Sequence, residues 1–149
     1  RSQDQKNRLI RINPIVLEKS FYSCLDPYVV APQAEQHRLI ASLAKSLSGK
    51  VVFYGAEDYF AAPSQPFILS KLKRTPGLDG VLFFTIDQFS YSNDLNISLL
   101  ADILDLGLII GFARENLILQ SDQCLHSRFL EIRAYSHCKT NRAAHLLLS

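Results

Sequence analysis

From Val81 to Ile86 every residue is apolar or β-branched, with Gly80 before the run and Asp87-Gln88 after it. A strand exposed on one face alternates apolar and polar residues. An unbroken run instead predicts a strand covered on both faces, at the centre of a sheet. Asp87 then falls at its carboxyl end, where open α/β sheets place ligand crevices. The rest of the chain can be read outward from this strand.

Residues 1–13 form a polar lead in which Leu9 to Ile12 alternate like a short edge strand, before Pro14 interrupts. Ser20 to Cys24 reads as a first core strand, ended by Asp26-Pro27. Tyr28 to Ala31 is a loop, and Pro32 opens a helix, since proline is tolerated in the first turn. Leu39, Ile40, Leu43 and Leu47 make its apolar stripe, and Gly49 is its expected stop. Val51 to Tyr54 is the second strand, followed by a loop from Gly55 to Pro63. Ser64 is a good N-cap for a helix through Arg74, with Phe67, Ile68, Leu69 and Leu72 apolar. After the central strand, Ser90 to Asn93 is a polar turn and Asp94 to Leu106 a helix, with Leu95, Leu99, Ile103 and Leu106 on one face. Gly107 is its natural C-cap. Leu108 to Phe112 is a fourth strand and Leu117 to Leu119 a short edge strand. Ser121-Asp122 caps a last helix on which Leu125, Phe129, Ile132 and Tyr135 share a face. Residues 137–149 form a tail.

Strict alternation of strand and helix predicts an α/β fold. A single domain, with its core at about residues 15–136, holds a mostly parallel sheet of four to five strands with helices on both faces. A flavodoxin-like strand order, 2-1-3-4, would set strands one and three side by side at the switch point.

Composition narrows the function classes. The 149 residues, 48% hydrophobic and 20% charged, describe an ordinary globular chain able to bury a sizeable core. A net charge of +2 is too mild for a dedicated nucleic-acid binder, so nucleic acid is not an expected partner. No apolar run approaches the roughly 18 residues of a membrane span. Arg1 to Arg11 is polar and mixed in charge, unlike a secretory leader. Cys24, Cys124 and Cys138 have no metal-ligand spacing and cannot all pair, which suits reduced thiols and a cytoplasmic location.

Candidate chemistry gathers at the strand carboxyl ends. Asp26, Glu57, Asp58 and Asp87 could converge there on a divalent cation. Loop carboxylates more commonly cap turns and helix starts, so no metal is assigned. Ser23 and Cys24 end the first strand, where a nucleophile could be displayed, but no spacing ties His37 to either. No Gly-rich phosphate loop is present and no cofactor is expected. Arg128, Arg133, Lys139 and Arg142 make the C-terminal segment locally basic, which is usually a solvated face and otherwise a site for an acidic partner.

Several fragments, in order, resemble the catalytic domain of resolvase/invertase serine recombinases. They are Gln36 early in the first helix, Glu57-Asp58 after the second strand and Gln65-Pro66-Phe67-Ile68-Leu69. Ile86-Asp87-Gln88-Phe89-Ser90-Tyr91 and the stretch Leu104 to Phe112 follow. The chain also resembles the sporadic carbohydrate cluster proteins, a bacterial family found among surface-polysaccharide genes. That resemblance rests on Pro32-Gln33-x-x-Gln36, Ala56-Glu57, Leu78-Asp79-Gly80-Val81 and the stretch from Gly107 to Phe112-Ala113-Arg114-Glu115.

The departures from the recombinase pattern bear on activity. Where that family has its serine nucleophile stands Pro27, and its nearby arginine is Leu25. Three further arginines are replaced by Gln65, Gln88 and Tyr91. Phosphoryl transfer relies on cations that stabilise charge spreading over phosphate oxygens, and glutamine and tyrosine bring none. Shifting Ser23 into the nucleophile position would not restore those arginines.

These resemblances imply a resolvase-like accessory or interaction module without recombinase activity, linked to bacterial surface-carbohydrate biosynthesis. The alternative is a small-molecule enzyme using a crevice lined by Ser23, Asp26, Gln36, Glu57, Asp58, Asp87, Gln88 and Tyr91. A second alternative is a recombinase relative that binds DNA without cutting it. In the recombinases the last helix is the dimer contact, which implies self-association here through Leu125, Phe129 and Ile132, with a protein partner as a further option.

Overall fold

The computed structural model describes residues 17–57, 67–91 and 94–120. The expected edge strand at Leu9–Ile12 and the last helix, with Leu125, Phe129 and Ile132, lie outside these residues, as do Asp58, Gln65 and Pro66.

The described strands are β1 (Lys19–Leu25), β2 (Gly49–Ala56), β3 (Gly80–Phe83), β4 (Ser90–Tyr91), β5 (Asp94–Leu95), β6 (Ile109–Phe112) and β7 (Leu117–Leu119). The helices are α1 (Gln33–Ser46), α2 (Phe67–Arg74) and α3 (Ile97–Asp105). One five-stranded sheet has the order β2-β1-β3-β6-β7, and β4-β5 form a small separate hairpin. β1, β2, β3 and β6 run parallel, and β7 returns antiparallel to β6. This is the expected α/β arrangement, and its strand order fits a resolvase- or flavodoxin-like topology.

β3 is central, between β1 and β6, and all four of its residues are buried. Val81 and Phe83 face the cluster under α2 and α3, where the rings of Phe83, Phe89 and Phe112 pack with centroids 4.8–5.7 Å apart. Leu82 and Phe84 face the opposite cluster, with Phe21, Ile40 and Leu43 under α1. Gly80 is required by crowding, since a Cβ there would stand 2.5 Å from the Ile109 carbonyl oxygen of the neighbouring strand.

The boundaries depart from the sequence expectation in instructive ways. β3 ends at Phe83, not Ile86. Phe84 still donates its N–H to the Cys24 carbonyl, but Thr85 caps a 3₁₀ turn over Ile86–Phe89. The Thr85 and Gln88 side chains form a reciprocal capping box, which outcompetes extension of the strand. α1 ends at Ser46. Ser48, with φ 61°, makes the left-handed turn expected of Gly49, and Gly49 opens β2 instead. α3 begins three residues later than expected, because Asn96 caps it by accepting from the Leu99 N–H. Asp94-Leu95 pairs with Ser90-Tyr91 as a hairpin instead. Gly107, at φ 80°, follows α3 as expected. Among the described residues no helix is long and apolar enough to cross a membrane.

Candidate functional site

β1 and β3 lie side by side, so the loops after them meet at one edge of the sheet with the end of β2. Asp26, Gln36, Glu57, Asp87 and Gln88 are brought to this edge as the sequence suggests, and most of their polar atoms turn inward. Gln36, 1% exposed on α1, accepts from the Asp26 N–H at 2.9 Å and donates to the Asp26 and Ala31 carbonyls at 3.0 Å. Its amide thus clamps the β1–α1 loop to its own helix. The Asp26 carboxylate accepts from the Tyr28 N–H, closing a local turn.

Gln88 ties three elements together. Fully buried in the turn after β3, its Oε1 accepts from the Thr85 N–H. Its Nε2 donates to the carbonyls of Leu25 at 3.1 Å and Glu57 at 2.8 Å, with that of Cys24 at 3.3 Å. The ends of β1, β2 and β3 are therefore held by one amide.

Glu57 accepts the Phe67 N–H at 2.8 Å and so caps α2 from a distance. Burial raises its carboxyl above the ordinary range, against the lowering effects of the Phe67 N–H and nearby Lys71. The Asp87 carboxylate is paired with the Arg114 guanidinium, which also bonds Glu115. Glu115 accepts from the Ile86 N–H and the Thr85 hydroxyl, fastening the 3₁₀ turn to the β6–β7 turn. Among the described residues no three His, Cys, Asp or Glu side chains form a metal-binding group.

Two sequence candidates are placed elsewhere. Ser23 points away from the crevice to the α1 face, fully buried. Cys24 points to the opposite face, where burial and the neighbouring Glu57 push its thiol far above the normal value, so it is no thiolate nucleophile at neutral pH. Pro27 lies in the exposed turn after β1. Tyr91 contributes its backbone to the β4–β5 hairpin, and Asp58 lies outside the described residues.

Thr85, Arg114 and Glu115 are the polar residues that the crevice reading missed. The Thr85-x-x-Gln88 spacing is the capping signal that would have found the turn. Nothing local announces that Arg114 meets Asp87, since the pair depends on β3 and β6 lying side by side. A recess of about 650 Å³ lies between α2 and α3 and includes none of the candidate residues.

The outward side of this edge is apolar in places. On the β1–α1 loop Tyr28 is 73% and Val30 99% exposed, and Phe67 at the start of α2 is 70% exposed. Comparison with family models, curated proteins and solved structures finds no match.

Proposed function

We propose that this chain is a resolvase-like accessory module that acts by binding a protein partner, and that it carries out no strand exchange. The observation that carries this reading is the fate of the crevice amides. Gln36 and Gln88 spend both ends of their side chains on backbone groups of their own domain. A residue committed in this way holds loops in place and has nothing left for a substrate. Electrostatics agree: Arg114 is already paired with Asp87 and Glu115, and Asp26 and Glu57 bring further carboxylates to the same edge, which disfavours a phosphate backbone there. Meanwhile Tyr28 and Val30 offer apolar surface to a partner on the same edge. The link to bacterial surface-carbohydrate biosynthesis rests on the sequence resemblance alone.

The test has two arms. Incubation with supercoiled DNA, quenched in denaturant, is expected to trap no protein–DNA species, since proline cannot be a nucleophile. An adduct that disappears in Ser23→Ala would restore the recombinase reading. Quantitative capture from a bacterial extract with the parent and a Tyr28→Ser/Val30→Ser variant should recover a partner that the variant loses. A sugar nucleotide or metal ion held by the parent but not by Asp87→Asn would favour the enzyme instead.

A further inference from the structure

We propose that the recess between α1 and β2 binds a small uncharged molecule, one with an apolar body and a single hydrogen-bonding group at its leading end. The recess holds about 430 Å³ and is lined by Ser23, His37, Ala41, Val51 and Tyr54. Parallel pairing sets Ser23 beside Tyr54, and Phe21 beside Val51, on the face that α1 covers. α1 contributes His37 and Ala41, one turn apart and so on the same side of the helix.

The Ser23 hydroxyl points to a ligand. It is fully buried and its Oγ has no hydrogen-bond partner, although it lines a recess. A hydroxyl left so destabilises the fold unless something bonds to it. The Thr85 hydroxyl, in contrast, is bonded by its own protein.

The lining also selects against charge. It contains no Lys, Arg, Asp or Glu, so an ionised phosphate or carboxylate would lose its hydration with nothing to replace it. Methyl groups of Val51 and Ala41 and the rings of His37 and Tyr54 suit an apolar body. Those rings meet edge to face, with centroids 5.4 Å apart and planes 70° from one another. In this arrangement Ser23 is covered, so a ligand reaches it by displacing a ring. Tyr54 is 63% exposed and can swing out with little loss of packing. The site lies on the α1 face of β1, apart from the loop surface proposed for a protein partner, and the two readings stand or fall separately.

Phenol is a suitable probe, titrated into the whole chain and followed by NMR. The expected result is saturable shifts of the His37 and Tyr54 ring signals at millimolar phenol, and none with phenyl phosphate. Ser23→Ala removes only an unpaired hydroxyl and keeps the fold, and it should weaken phenol about three- to tenfold, the worth of one neutral hydrogen bond. Ala41→Phe, from an exposed helix position, should fill the recess and abolish saturation while circular dichroism stays unchanged. Absence of saturable shifts, equal binding by the parent and both variants, or equal binding of phenyl phosphate would each overturn the proposal.

Discussion

Gln88 shows how one side chain can substitute for a stretch of sheet. If it is replaced by leucine, the Thr85 N–H loses its acceptor and the Glu57 carbonyl its best donor, at 2.8 Å. The Cys24 and Leu25 carbonyls keep the N–H groups of Phe84 and Glu57. With the buried Thr85 N–H orphaned and the part-buried Glu57 carbonyl left only the long Cys24 thiol contact, Gln88→Leu should cost about 2 kcal/mol in urea unfolding, with the native circular dichroism kept. A role in catalysis without a role in stability would leave the unfolding midpoint unmoved. Glu57 carries a pH signature. Its carboxyl is raised in the folded chain, chiefly by burial, so folding favours its protonated form. The stability that this confers is complete below the unfolded value and is lost as pH rises through the raised folded one. Glu57→Gln should therefore melt above the parent at pH 7, and the gap should close as pH falls below the ordinary carboxylate range. A gap that stays constant with pH would mean that Glu57 is not burdened by burial.

Among the elements, β3 bears the most consequence per residue, because both of its faces are filled. Phe84, 3% exposed, continues its line into the α1-side cluster with Phe21 and Leu82. Phe84→Asp removes that ring and leaves a buried charge unpaired, a loss of about 4 kcal/mol or more. A domain with only about 5–15 kcal/mol in hand should then lose cooperative unfolding or solubility. A soluble, cooperatively melting variant would contradict the packing of this strand. The helices differ in how their ends are fixed. α3 carries its own cap in Asn96, whereas α2 borrows Glu57 from the end of β2. Local sequence can announce the first kind of cap but not the second.

At the scale of the molecule, the sheet edge that carries the candidate residues is a joint. Arg114, Asp87, Glu115 and Thr85 link the β3 turn to the β6–β7 turn, and Gln88 links the same turn to β1 and β2. Such bonding suits a domain that presents a fixed surface to a partner. Self-association is the remaining expectation, and it rests on the sequence stripe Leu125, Phe129 and Ile132. If Phe129 anchors a dimer, truncating it is worth about 2 kcal/mol or more of interface energy. Phe129→Asp should then give a folded monomer by light scattering where the parent is a dimer. A parent already monomeric at high concentration, or a variant that unfolds, would assign the stripe to the chain's own core.

Periodicity alone determined the class of fold, because burial on one face or two imposes its own spacing. The unbroken run from Val81 pointed to a covered strand, which it is through Phe83, and alternation with helices pointed to a parallel sheet. It also located the three described helices to within a few residues. Where they begin and end was decided by side-chain caps: Thr85 with Gln88 cut the central strand short, and Asn96 delayed α3. Those signals are local and legible once sought. The site was another matter. Sequence order brought the candidate residues to the strand ends, but the direction of each side chain depended on neighbours distant in the chain. Strand pleating turned Ser23 under α1 while Cys24 went to the other face. Packing of three strand ends around one buried amide turned Gln88 from a candidate ligand group into a tie. Only the tertiary structure could decide this, because a polar side chain leaving water must take whichever partners the surrounding fold brings within reach.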